Sequence, residues 1–240
     1  MCLLKLKSQS FALVVFTVLC LLIGNAGAQE EPFWPIDQQL LSRDDETDTW
    51  LDVGGVAVWN TRDDLKIAVR PDGYEIKELN IHIVQDPAEF SAVLNKKGKP
   101  VAGYFDFKTD FSDHGGPVPY HEQVVSLSNF EICWSVKPDI CPPNLYIIVH
   151  AELTGLSEAA LSDGNYVFDR LDKEDRIWGW AVEYPLAKVE PGHFVDANVN
   201  GLGYSTITQF GITGQNGQFW FLPHEYVAFS VGNLFIGEAY

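Results

Sequence analysis

Histidines have the clearest capacity for chemistry in this chain, because imidazole binds zinc and transfers protons near neutral pH. His82 lies between two isoleucines, so a strand places it on the face opposite both. His150 ends an apolar run, and His114 lies in a Gly/Pro-rich stretch. Two hypotheses follow. Either His82, His150 and His114 converge on a metal in a secreted metal-dependent hydrolase, or each makes an ordinary hydrogen bond.

Other catalytic patterns do not favour an enzyme. Neither a Gly-x-Ser-x-Gly nucleophile motif nor a phosphate-binding Gly-rich loop occurs. Nothing among the 33 acidic residues singles out the carboxylate pair that a glycosidase needs. The sequence therefore predicts no catalytic residues.

Two of the seven tryptophans, Trp178 and Trp180, lie two residues apart. A strand places such a pair on one face of its sheet. If that face is exposed, the rings stack on sugars and the protein is a carbohydrate-binding module. If the face points inward, the pair belongs to the core.

The chain is strongly acidic, with a formal net charge of −17 at pH 7. Nucleic acid is excluded as a partner, because binding it requires a basic face. A negative field attracts cations and cationic surfaces. We therefore expect an extracellular matrix, a mineral or a polysaccharide surface as the partner, and Ca²⁺ as the one cofactor that the charge suggests.

Acidic residues cluster in residues 43–52 and 163–175, and the second stretch includes Asp169, Asp172 and Asp175. Ca²⁺ prefers six to eight oxygen ligands, which clustered carboxylates supply. Neither stretch has the spacing of an EF-hand loop. The sequence predicts weak calcium binding at several places, with these three aspartates as the alternative for one specific site.

The first 28 residues have the pattern of a secretory signal peptide. Lys5 and Lys7 precede an apolar run over residues 11–23, and a small-x-small cleavage site ends at Ala28. The run is short for a membrane span, and no later stretch is apolar enough. We expect a secreted, extracellular protein without a membrane span after cleavage, with a net charge of −19 once these two lysines are removed.

Cysteine usage agrees with that compartment. Cleavage removes two of the four cysteines and leaves Cys133 and Cys141. An isolated pair in an oxidising compartment usually forms a disulfide, and a zinc site would lack its other ligands. The sequence predicts a Cys133–Cys141 disulfide.

The elements that position these residues are predicted to be strands. Alternating or apolar runs separated by Gly, Pro, Asn and Asp indicate strands at residues 53–60, 65–70, 74–84, 123–127, 145–153 and 178–184. Asp86 and Pro87 indicate the start of one short helix. We predict an all-β fold of two β-sandwich-like modules with at most one or two short helices: signal peptide 1–28, acidic linker 29–49, β-sandwich domain 50–190 and a small C-terminal β-module 191–240.

Two parts of the chain resemble known extracellular domains. Residues 54–60, 64–69, 73–83, 98–105, 145–151 and 178–180 follow the pattern of an uncharacterised family of secreted and cell-surface β-domains. Residues 196–205, 213–219 and 227–237 are similar to a small β-sandwich module of bacterial surface proteins. These resemblances imply an all-β extracellular protein and no established reaction. The longer acidic loop at 163–175 departs from the first pattern.

Together these observations predict a secreted, acidic, non-enzymatic matrix or surface protein, associated with calcium or mineral as in the organic matrix of skeletons. The metal-dependent hydrolase and the carbohydrate-binding module remain the alternatives.

Overall fold

The computed structural model describes residues 35–44, 47, 49–132, 144–169, 177–194 and 199–240. The described residues form strands and short 3₁₀ turns, and none of them is in an α-helix. The all-β fold class is confirmed. No helix within these ranges has the length and apolar character needed to cross a membrane.

The six predicted strands are present, each within four residues of its expected ends. The strands are β1 (Ile36–Asp44), β2 (Thr49–Asn60), β3 (Asp64–Pro71), β4 (Ile76–Val84), β5 (Phe107–Asp110), β6 (His121–Ser126), β7 (Asn144–Leu153), β8 (Ala160–Ser162), β9 (Tyr166–Asp169), β10 (Ile177–Pro185), β11 (Glu190–His193), β12 (Gly203–Ser205), β13 (Phe210–Ile212), β14 (Gln218–Phe221), β15 (Val227–Val231) and β16 (Leu234–Ala239). The 3₁₀ turns are Pro87–Ala92, Ala102–Tyr104, Phe111–His114, Leu127–Asn129 and Gln215–Gly217.

The predicted helical segment after β4 is a 3₁₀ turn. Asp86 is its N-cap and accepts a hydrogen bond from the Ala88 amide at 2.9 Å, and Pro87 is its first residue. This arrangement satisfies an amide that has no partner inside the turn. The turn buries Phe90.

The chain divides into two compact units, and the first covers Pro35–Val189. Its antiparallel strands form one sheet in the order β5-β4-β7-β8-β1-β2-β3-β6, and β10 joins β7 and β9. Val118, which lies just before β6 in the chain, forms an antiparallel bridge with Ile76 of β4. The two N–H···O distances are 2.7 and 3.1 Å. The sheet therefore closes on itself.

The closed sheet surrounds an apolar core. Strand β4 is buried on both faces over Leu79–Val84 and β7 over Ile147–Val149, which explains the apolar run of β7. One face contributes side chains such as Leu79, Ile81 and Val149. The opposite face packs on a second cluster that includes Phe90, Phe105 and Ile148.

The prediction of a linker over residues 29–49 is wrong for β1. This strand pairs with β2 along its whole length and with β8 at Leu40, Leu41 and Ser42. Those three side chains are buried. The polar residues on either side of this short apolar segment conceal its pairing. Residues 29–34 lie outside the described ranges.

The second unit holds Glu190–Tyr240. The predicted boundary at Pro191 and Gly192 lies inside β11, which pairs with β14. Strands β13-β12-β15-β16 form a separate four-stranded sheet. The core contains Tyr204, Phe219 and Phe229.

A buried carboxylate holds two loops of this second unit together. Glu225 accepts hydrogen bonds from the Thr208 and Leu222 amides, both at 2.9 Å. Each carboxylate oxygen thus satisfies one buried amide, and burial of the side chain is compensated.

Candidate functional site

Three carboxylates lie side by side on one face of the main sheet. In the β5–β4–β7 ladder, Glu78 is directly opposite Asp110 on one side and Glu152 on the other. Directly opposite residues in an antiparallel pair have Cβ atoms about 4.5–5.5 Å apart, and like charges there repel. We call Asp110, Glu78 and Glu152 the carboxylate row.

The members of the row differ in how they are held. Glu78 Oε1 accepts a hydrogen bond from Asn80 Nδ2 at 2.7 Å. Asp110 caps a 3₁₀ turn by accepting from the amide and the hydroxyl of Ser112, at 2.8 and 2.6 Å. Glu152 is exposed, and its carboxylate makes no hydrogen bond or ion pair with the described residues. The row is a partly fixed array of oxygens that is open to solvent at Glu152.

The next row along the same face is Lys108, Asn80 and His150. Lys108 donates to the Gly103 carbonyl. Asn80 Oδ1 and His150 Nδ1 are buried and have no hydrogen-bond partner among the described residues. Burial lowers the pKa of His150, and the nearby Glu78 charge opposes that effect. The imidazole is therefore held as a neutral ring beside the carboxylates.

Asn60 shows what a satisfied buried amide looks like in the same sheet. Its Oδ1 accepts from Tyr184 Oη at 2.7 Å and from the Ala187 amide at 3.1 Å, and its Nδ2 donates to the Ala187 carbonyl at 2.9 Å. Unpartnered buried polar groups such as Asn80 Oδ1 are uncommon in folded proteins and often mark bound water.

His82 lies one row further on, between aromatic rings. It is buried and packs against Phe90 and Phe105. Its Nδ1 is 2.7 Å from Asp106 Oδ2, an ion-pair distance, but neither ring nitrogen makes a well-aligned hydrogen bond. The strand does place His82 on the face opposite its isoleucine neighbours, as the alternation of the sequence predicts.

The two strand histidines share a face but do not converge. Phe105 stacks on the His82 ring at 5.6 Å and meets the His150 ring edge-on at 6.4 Å. Within the described ranges, no three His, Cys, Asp or Glu side chains are grouped to hold a metal ion. The side chain of His114 lies outside what the structure describes. The arrangement of His82 and His150 gives no support to the hydrolase hypothesis.

The predicted calcium and disulfide residues are largely outside the described ranges. Asp169 is exposed at the end of β9. Asp172, Asp175, Cys133 and Cys141 all lie outside those ranges. The specific calcium site and the disulfide stay predictions.

The two tryptophans point to different environments, contrary to simple alternation. A bulge in β10 between Ile177 and Gly179 adds one residue opposite β9. Trp178 consequently packs on the Phe90 and Phe105 cluster. Trp180 instead contacts Trp50, with ring centroids 4.9 Å apart. The pair does not form the shared sugar-stacking surface that even spacing suggests, because a bulge shifts the alternation by one residue.

Sequence reasoning missed the carboxylate row. On β4, Glu78 is an even number of positions from His82, and on β7, Glu152 is an even number of positions from His150. Alternation along a strand therefore predicts that each glutamate lies on the same face as the histidine of its strand. Glu78 pairs with Glu152 of β7, 74 positions away, and with Asp110 of β5, 32 positions away. The local sequence pattern of each strand does not specify which residues of two distant strands lie opposite each other.

No protein-family model, curated protein or solved structure matches this chain.

Proposed function

We propose that this protein is a secreted, acidic, non-enzymatic component of an extracellular matrix or surface that associates with calcium or with a calcium-bearing mineral. The carboxylate row carries the proposal. Adjacent strands lie about 4.8 Å apart, so the backbone places the three carboxylate-bearing residues at regular intervals across the sheet. Ca²⁺ is a hard cation that binds carboxylate oxygens, and it also relieves their mutual repulsion. The row, which lies wholly within the described residues, does not group its carboxylates into one metal site, so the calcium binding we propose there is weak.

The surrounding charge supports the same function. Many other carboxylates are exposed, including Asp52, Asp72, Glu89 and Asp106. Exposed carboxylates that do not converge bind cations weakly and through the summed field. A face of this kind suits adhesion to an ionic surface, where many weak contacts act together.

Calorimetric titration with CaCl₂ at low and physiological NaCl tests the proposal. We expect weak binding at several places that decreases with NaCl, because exposed charges are screened over about 8 Å at physiological ionic strength. Glu152→Gln combined with Asp110→Asn should reduce the bound calcium and the adsorption to calcium carbonate particles. Asn retains the capping oxygen of Asp110, so the fold should be preserved.

Glu89→Gln combined with Glu190→Gln is the matched control, because it removes the same charge from two exposed positions outside the row. Equal losses of bound calcium and of adsorption in both double variants would show that the row contributes only its net charge, like any other exposed carboxylates. Absence of calcium binding at either NaCl concentration contradicts the proposal. One mole of zinc per mole of purified protein would favour the hydrolase instead.

A further inference from the structure

The four-stranded sheet of the second unit has an unusual exposed face. Its other face contributes Tyr204 and Phe229 to the core. On the outer face, Phe210 and Ile212 of β13 are 81% and 70% exposed, and Phe235 of β16 is 61% exposed. Soluble monomers seldom expose several large apolar side chains on one element surface, and such surfaces usually bind a partner.

The strand register gives this face a definite shape. One row across the sheet is Ile212, Gly203, Ser230 and Phe235, and the next is Phe210, Ser205, Ala228 and Glu238. Small residues of the two central strands therefore lie between large apolar residues of the two edge strands. We call these eight residues the apolar face: a shallow trough with an apolar wall on each side.

The size of the face can be compared with that of a protein interface. Its large apolar side chains are Phe210, Ile212 and Phe235, because Val231 and Leu234 pair one position out of step with Ser230 and Phe235 and so belong to the opposite face. Aromatic side chains such as phenylalanine can bury on the order of 150–250 Å² each. Phe210, Ile212 and Phe235 together expose on the order of a few hundred Å². They supply part of the roughly 800 Å² per partner of a standard interface, and the small residues between them supply the rest of the contact.

Charge restricts the chemistry of the occupant. Residues 189–240 contain no Lys or Arg, and Glu238 is the one charged residue of the apolar face. The net charge of −17 is carried mostly by residues outside this unit. The face therefore offers a charged partner at most one ion pair, at Glu238, and it suits a surface that is itself apolar.

We propose that the apolar face binds the apolar face of a second copy of this chain across a two-fold axis. The face is self-complementary, because the Phe235 side chain of each copy is a wall that fits over the small residues Ser205 and Ala228 of the other. Two sheets pack face to face about 10 Å apart in this way. Two-fold contacts of identical surfaces are the commonest form of oligomer.

Face-to-face packing is favoured over pairing of the β16 edges. The β15–β16 ladder contains a bulge between Phe229 and Ser230, opposite Ile236. A bulge twists an edge strand and interrupts the regular ladder that another strand would continue.

Analytical ultracentrifugation of the purified protein from about 1 to 200 μM tests the proposal. We expect a monomer–dimer equilibrium that strengthens as NaCl is added, because salt screens the repulsion between two acidic copies. Phe235→Lys removes a wall and Ala228→Lys fills the trough. Each should weaken the dimer at least tenfold, since a buried unpaired ammonium is costly.

Val124→Lys is the matched control, because it places the same charge at an exposed apolar position of β6 in the first unit. It should dimerise like the unchanged protein. Melting temperatures verify that all three variants are folded. The two apolar-face variants change different positions of the face. If one of them does not fold, the other still tests the proposal.

A protein that remains monomeric at about 200 μM overturns the proposal, as does a dimer unaffected by both apolar-face variants. Assemblies that grow beyond dimers indicate a head-to-tail contact and also overturn it. Monomers that bind detergent micelles through Phe235 would assign the face to a lipid-like partner. The proposal is independent of calcium: salt should strengthen this association, whereas it should weaken calcium binding.

Discussion

At the scale of single residues, the fold disfavours protonation of His150. Burial lowers its pKa, the charge of Lys99 lowers it further, and the charge of Glu78 opposes both. The folded state therefore keeps the ring neutral at pH values where the unfolded chain protonates it. Protonation of the unfolded chain alone makes the folded state less stable as the pH falls.

We expect the free energy of unfolding to decrease as the pH falls below about 6.5, the ordinary pKa of histidine. His150→Gln should make that dependence shallower, because glutamine does not titrate. Urea denaturation at several pH values between about 7 and 5 measures the slope. Burial also lowers the pKa of His121, so part of the slope should remain.

His193→Gln is the control for this comparison, because His193 is exposed in β11. Comparison of the two variants separates the loss of a buried histidine from the loss of an exposed one. A slope that is the same in His150→Gln and in the unchanged protein would contradict the role of His150.

Individual residues also show what the sequence does and does not predict. The face of His82 follows from the identity of its two neighbours, and the structure confirms it. The partners of His82 do not follow, because Phe105 and Asp106 come from a Gly/Pro-rich stretch more than 20 residues away. A conformation without local periodicity leaves no signal for the contacts that it makes.

At the scale of elements, Gly54 allows β2 to bulge. The β1–β2 ladder pairs Leu40 with Gly54 and Leu41 with Asp52, which leaves Val53 as the extra residue. Gly54 has a φ of +145°, and a Cβ there would lie 2.4 Å from the Arg70 carbonyl oxygen. The close approach to β3 is possible only without a side chain.

Gly54→Ala should therefore reduce the free energy of unfolding by about 2–4 kcal/mol, through backbone strain and a clash with backbone atoms that cannot rotate away. Gly55→Ala, one residue later, should change it by less than about 1 kcal/mol. A Cβ at Gly55 would meet its nearest neighbour, the Gln38 carbonyl oxygen, at an ordinary 3.8 Å. Urea denaturation of the two variants compares them, and similar losses in both would contradict the bulge as the cause.

Long apolar strands were predictable and short or polar ones were not. Strand β7 is apolar over most of its length, because both faces of its central residues are buried, and β4 has isoleucine or leucine at alternate positions from Leu79 to Ile83. Strands β8 and β9 have only three and four residues, which is too few for a periodic pattern. Strand β1 is mainly polar and is recognisable only from its pairing with other strands. In β10, a bulge reverses the orientation of Trp178 relative to Trp180 that alternation predicts.

At the scale of the whole molecule, the excess of negative charge opposes compactness. The folded state brings carboxylates closer than the unfolded chain does, as in the carboxylate row. The Debye length falls from about 30 Å at 0.01 M salt to about 8 Å at 0.15 M. Added salt should therefore relieve repulsion in the folded state more than in the unfolded state.

We expect the melting temperature to rise when NaCl increases from about 0.01 to 0.15 M. Calorimetry or fluorescence measures it directly. Glu152→Gln should raise the melting temperature at low salt and have a smaller effect at high salt, because it removes one of the repelling charges. A melting temperature that falls or does not change over this range would show that ion pairs, not repulsion, dominate the electrostatics.

The bridge between Ile76 and Val118 has a consequence for the dynamics of the first unit. Along the rest of the closed sheet, neighbouring strands share ladders of two or more residue pairs, whereas at this closure the described residues contribute a single bridge. Two backbone hydrogen bonds form this bridge, so local opening there breaks few bonds. The Ile76 and Val118 amides should exchange with deuterium sooner than the amides between β4 and β7. The closed sheet would then open locally between Ile76 and Val118 while the hydrogen bonds between β4 and β7 stay intact.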